Sequence, residues 1–342
     1  MGASRRFRLT TTVAVALVAV VALVAWARSG GSGSGPARSR SVQASPSTGS
    51  APSTSSTTAD PPTTVAATDR TYPVAVSYLT LSAHNLAGAA VTIPTTVWYP
   101  GGSAGPFPLV VFSPGYQIDP AAYGPLTSAW AAHGYVVAEP IYPDTAPGAP
   151  QIEYDMVNHP SELAQVIDTL TGGGTSVSSL IDPQEIGLAG QSDGGDVSLA
   201  AVANPCCLIP HIKAAVILSG AEITLFHGTY FSTGNPPLLA VQGDQDTINP
   251  PGCSQQLYDG AGPPRYYLDL PGATHLSAYT EAGPQLDTVE NVTVAFLDGY
   301  LRGMTSRLAD LSQLGSVPGV SSLITPAAVG ITGSCPGAPY GG

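Results

Sequence analysis

From residue 72 onward, short runs rich in Val, Ile and Leu alternate with segments of helical periodicity, and nothing else in the sequence restricts the fold so strongly. Such a chain closes into a mostly parallel sheet covered by helices on both faces. Pro73–Leu81 and Val91–Tyr99 alternate polar and apolar residues around a Gly-containing turn, which suits a leading antiparallel pair. Six apolar runs then read as buried strands: Leu109–Ser113, Tyr135–Glu139, Glu185–Ala189, Ala214–Leu218, Leu238–Gln242 and Tyr266–Leu270. Helices are expected between them, at about 125–133, 161–171, 193–203, 251–260 and 289–301. The clearest is Ser161–Thr171, where Leu163, Val166, Ile167 and Leu170 share one face behind Pro160. The expected architecture is an α/β domain with an eight-stranded sheet. Residues 219–237 are rich in Gly and Pro and leave no room for a large helical lid.

Gly190-Gln191-Ser192-Asp193-Gly194 fits the pattern G-x-S-x-G between a predicted strand and a predicted helix. A turn that sharp strains the backbone at the serine, so the residues two positions to either side must lack a Cβ. A serine hydroxyl is a poor nucleophile at neutral pH and needs a base, itself oriented by an acid. His275, just beyond the last predicted strand, is the one histidine that follows in the right place. His211 and His227 come before the expected acid. The acid belongs after Leu238–Gln242, where Gly243-Asp244-Gln245-Asp246 offers two carboxylates. Asp246 is favoured, because Asp244 is better placed to brace the turn. Two backbone N–H groups are expected to face a developing oxyanion, those of Asp193 and of Tyr116 after Ser113-Pro114-Gly115. The Asp193 carboxylate is expected to point away, toward the first turn of its own helix. This chemistry calls for no cofactor, and no Cys-x-x-Cys or His-x-x-x-His spacing points to a metal.

The segments Val110–Tyr116, His133–Val137, Gly190–Gly195, Gly243–Asp246 and Gly272–His275 resemble the α/β-hydrolase superfamily. Within it they are similar to the branch holding platelet-activating-factor acetylhydrolase-like esterases, dienelactone-hydrolase-like proteins and cutinase-like polyester hydrolases. The resemblance covers about residues 72–303. It implies an ester hydrolase with the triad Ser192, Asp246 and His275. The dienelactone enzymes carry Cys where this chain has Ser192. The polyester hydrolases typically carry Met where it has Asp193, and a Trp in the cleft, whereas Trp98 and Trp130 fall in a predicted strand and helix. Serine carboxylic-ester hydrolysis through an acyl-enzyme is therefore the expected reaction. Polyester cleavage and acyl transfer to a cell-envelope alcohol are the alternatives. The implied topology puts Cys206 and Cys207 at the amino edge of the sheet and Cys253 at the carboxyl edge, about 17–20 Å away. It thus implies a vicinal Cys206–Cys207 bond and a Cys253–Cys335 bond that pins the tail.

Arg5, Arg6 and Arg8 precede an apolar run from Thr10 to Ala27, the pattern of an export signal. Residues 1–27 read as a signal peptide, with Ala25-Trp26-Ala27 as a cleavage site, or as an uncleaved anchor in which residues 10–27 tether the chain to the outer face of a membrane. Residues 28–70 are dominated by Ser, Thr, Pro, Gly and Ala and read as a disordered linker. Residues 71–303 form the expected catalytic domain and 304–342 a tail. Six of the 11 basic residues lie before residue 41 and no acidic residue does, leaving 5 basic against 23 acidic groups, a net of −18. That balance disfavours a nucleic-acid partner. The expected partner is a small or lipid-like ester. Asn291-Val292-Thr293 matches a glycosylation sequon inside a predicted helix.

Overall fold

Val, Leu, Ile and Ala alternate between two apolar layers along the central strands, and that alternation builds the molecule around one sheet. The computed structural model describes residues 71–325 and 333–335. The proposed signal or anchor, the linker to residue 70 and part of the tail lie outside the described residues. No helix among the described residues is long and apolar enough to cross a membrane.

The strands are β1 (Val74–His84), β2 (Ala90–Pro100), β3 (Phe107–Ser113), β4 (Val136–Pro140), β5 (Ile181–Gln191), β6 (Ile212–Leu218), β7 (Leu238–Gly243), β8 (Arg265–Leu270) and β9 (Ser322–Ile324). Their order across the sheet is β1-β2-β4-β3-β5-β6-β7-β8-β9. β3 to β8 are parallel, β1 and β2 form an antiparallel pair that joins β4, and β9 pairs antiparallel with β8. The sheet thus has nine strands, not the expected eight. The ninth comes from the tail, where three residues set Ser322 opposite Asp269 and cover the edge of β8.

The helices are α1 (Gly124–Ala132), α2 (His159–Thr171), α3 (Asp193–Ala203), α4 (Pro251–Gly260), the single turn α5 (Ser277–Thr280), α6 (Pro284–Leu301) and α7 (Thr305–Gly315). A 3-10 helix, Glu153–Asn158, runs directly into α2. On β3, Leu109 and Val111 face the layer built with α2, α3 and α4, while Val110 and Phe112 face the layer built with α1 and α6. The second layer is anchored by Trp130, fully buried, whose indole N–H donates to Thr293 Oγ1 at 2.8 Å. Trp98 is buried as well, so both tryptophans belong to the core. The Thr293 hydroxyl in turn donates to the Val289 carbonyl, so the sequon's threonine is sealed inside α6 although Asn291 is exposed.

The register aligns Ser113 with Gly190, Gln191 with Leu218, and Gly243 with Leu270. Four loops therefore leave the sheet along one carboxyl edge, and they carry Tyr116, Ser192, Asp246 and His275. Both disulfides are formed, Cys206–Cys207 just past α3 and Cys253–Cys335 between α4 and the tail. The second joins residues 82 apart in sequence, a loop worth about 4.5 kcal/mol in chain-entropy terms.

Candidate active site

Ser192 stands where β5 ends and α3 begins, with φ 55° and ψ −127°, a region that a non-glycine residue enters only under constraint. The surroundings supply that constraint. The Ser192 N–H donates to the Leu218 carbonyl at 3.0 Å, and its carbonyl accepts from Asp196 N–H. A Cβ on Gly190 would land on the Gly194 carbonyl, and one on Gly194 would land on the Ser113 carbonyl. The two glycines are thus required by the approach of β3 and α3, as the motif implied.

His275 Nε2 lies 2.8 Å from Ser192 Oγ, and its Nδ1 lies 2.7 Å from Asp246 Oδ2. A carboxylate only accepts, so Nδ1 carries the proton and Nε2 is left to accept from the serine hydroxyl. Asp246 is held from both sides. Oδ1 accepts from the N–H groups of Ile248 and Asn249, and Oδ2 also accepts from Gln242 Nε2 at 3.0 Å. Burial alone would raise this carboxyl, but the bonds from His275, Gln242 and Ile248 outweigh it and hold it below its ordinary value. Asp244, the other sequence candidate, is exposed and accepts from Gly272 N–H at 2.6 Å, which ties the acid loop to the histidine loop. Ser192 is buried at 8% exposure, and the His275 side chain is 13% exposed. The 219–237 connection contains turns and no helix.

Tyr116 follows β3 across from Ser192, and its N–H meets no acceptor among the described residues. The Asp193 carboxylate accepts from its own backbone N–H at the start of α3 and lies within electrostatic reach of His275 and Glu153. Its Oδ2 is buried without a hydrogen-bond partner. Burial, helped by Glu153, pushes this carboxyl up to about 7.

Sequence reasoning also missed the side chains that lock the loops together. The Gly115 N–H donates to Tyr123 Oη at 3.2 Å, the Tyr123 hydroxyl donates to Gln191 Oε1 at 2.7 Å, and Gln191 Nε2 donates to the His275 carbonyl at 2.9 Å. Gln191 is the first variable residue of G-x-S-x-G, and only its position directly before the serine offered a signal.

A family model described as PETase: PET hydrolase-like matches residues 50–307. Comparison with curated proteins gives no significant match. The match spans well over half of the chain and takes in every loop of the site. The chain thus belongs to the PET hydrolase-like family of serine ester hydrolases, with the α/β-hydrolase fold.

Proposed function

We propose that this chain is an exported carboxylic-ester hydrolase that works through an acyl-enzyme on Ser192, with His275 as base and Asp246 as its orienting acid. The observation that carries this reading is the continuous relay from Ser192 Oγ through both His275 nitrogens to Asp246 Oδ2. His275 takes the serine proton as Oγ attacks the ester carbonyl. The oxyanion faces the N–H groups of Tyr116 and Asp193. Collapse expels the alcohol, protonated by His275, and water activated by the same imidazole then frees the acid and restores Ser192. Export follows from residues 1–27, as a cleaved signal or as an anchor, with 28–70 as the linker to a catalytic domain that begins near residue 71.

The family match, and a 219–237 connection with no helix to cover the serine, favour esters of extended, uncharged acids, polyesters among them. The purified chain is expected to hydrolyse p-nitrophenyl acetate and butyrate faster than long-chain esters, and to release soluble acid from a film of aromatic polyester. Turnover of neither, despite labelling of Ser192 by a serine-reactive phosphonate, would instead indicate transfer to another acceptor, which added alcohol would reveal as a new ester.

Asp193 should leave its mark on the pH profile. Its carboxyl titrates at about 7, so it is largely neutral at pH 6 and ionised at pH 9, where its charge opposes the oxyanion. In Asp193→Asn that charge is gone. The variant's kcat/KM is expected to match wild type within about twofold at pH 6 and to exceed it by about fivefold at pH 9, the equivalent of ~1 kcal/mol. A ratio that does not change with pH would mean that the carboxylate does not feel the reacting centre.

A further inference from the structure

Asp155, His159 and Glu162 offer one ligand atom each, all within 4.8 Å of one another, and none of them belongs to the Ser192 relay. Their spacing, i, i+4 and i+7, puts them on one face where the Glu153–Asn158 3-10 helix continues into α2. His159 is 2% exposed and Glu162 1%. The His159 Nε2 and Glu162 Oε2 atoms are both buried without a hydrogen-bond partner. Nε2 lies 3.7 Å from Asp155 Oδ2, too long for a hydrogen bond. It is close to the roughly 3.4 Å between ligand atoms around a tetrahedral ion with ~2.1 Å bonds.

Buried polar atoms rarely go unpaired, and two in one cluster point to a missing partner. No cationic side chain supplies it. The four among the described residues are engaged elsewhere: Lys213 with Glu185, Arg265 with the carbonyls of Tyr258, Asp259 and Ala261, Arg302 with Asp298, and Arg307 with Asp298 and Asp310. Asp144 adds negative potential at His159 and Glu162. Without a cation, the two unpartnered buried atoms keep an unmet cost in solvation.

We propose that Asp155, His159 and Glu162 form a binding site for a divalent transition-metal ion of the Zn2+ class. One imidazole and two carboxylates suit Zn2+ better than the all-oxygen sets preferred by Ca2+ or Mg2+, and three protein ligands leave a fourth position open. The ion's work is structural. The His159 ring stacks on Tyr142 at 3.9 Å, and the Tyr142 hydroxyl bonds Ser113 Oγ at 3.2 Å, at the end of the strand that leads to Tyr116. A metal at His159 therefore fixes the 141–159 segment against the cleft.

The test is equilibrium dialysis of the tag-free chain, stripped with EDTA, against micromolar Zn2+, with parallel thermal unfolding. Wild type is expected to take up about one Zn2+ per chain and to unfold at a higher temperature with Zn2+ than with EDTA. Glu162→Gln keeps the side-chain shape and Asp155→Asn alters a half-buried position, so at least one is expected to fold. Each folded variant should bind Zn2+ more than about tenfold more weakly, and its Tm should not respond to the metal. Uptake well below one ion per chain, or variants that bind and respond like wild type, would overturn the site and leave the cluster to buried water or the Zn2+ to exposed histidines.

Discussion

Ser192→Ala is expected to lower kcat/KM for short esters by about 10⁴- to 10⁶-fold, because it removes the nucleophile on which both half-reactions depend. The fold should be unaffected. Alanine keeps the Cβ that already fits at φ 55°, and the bonds that fix this backbone run through Ser192 N–H and C=O rather than through Oγ. Circular dichroism and Tm should therefore match wild type while turnover vanishes. A folded variant that still hydrolyses esters at more than a hundredth of the normal rate would remove Ser192 from the mechanism.

The second large effect is at Asp246. An asparagine there can keep the contacts from Ile248 and Asn249 N–H through its carbonyl oxygen, but its amide then faces His275 and donates where the carboxylate accepted. His275 Nδ1 is forced into the acceptor role and Nε2 carries the proton, which is the wrong tautomer to receive one from Ser192. The expected loss in kcat is about 10⁴-fold, with little change in KM. Asp244→Asn provides the contrast. Its carboxylate is exposed and touches Gly272 N–H rather than the imidazole, so the loss should stay below about tenfold. Equal losses in the two variants would mean that the orienting acid has been misassigned.

The parts of the site that were legible in the sequence are those where local sterics or chain order leave little choice. Gly190 and Gly194 are dictated by the turn itself, and His275 and Asp246 by their place after successive strands. The boundaries of α3 and α4 match the sequence expectation because Ser192 and Pro250–Pro251 mark them sharply. β9 was not legible. Three residues carry no usable periodicity, and they form a strand only because β8 presents an open edge. The raised Asp193 carboxyl, the Gly115-Tyr123-Gln191-His275 connections and the Asp155-His159-Glu162 cluster share another reason. Each depends on residues far apart in sequence, or on burial contributed by another element, and spacing alone does not report burial.

The connections through Gln191 bear on how this cleft can be altered. The residue before the serine is one that G-x-S-x-G leaves open, yet here it bridges the loop after β3, by way of Tyr123, to the main chain of His275. Gly115 has no spare room either, since a Cβ there would run into the Gln191 side chain. Substrate-range libraries that vary Gly115, Tyr123 or Gln191 one at a time will sample mostly broken bridges and score each position as intolerant. Productive sequences should instead appear as pairs or triples, with strongly non-additive effects.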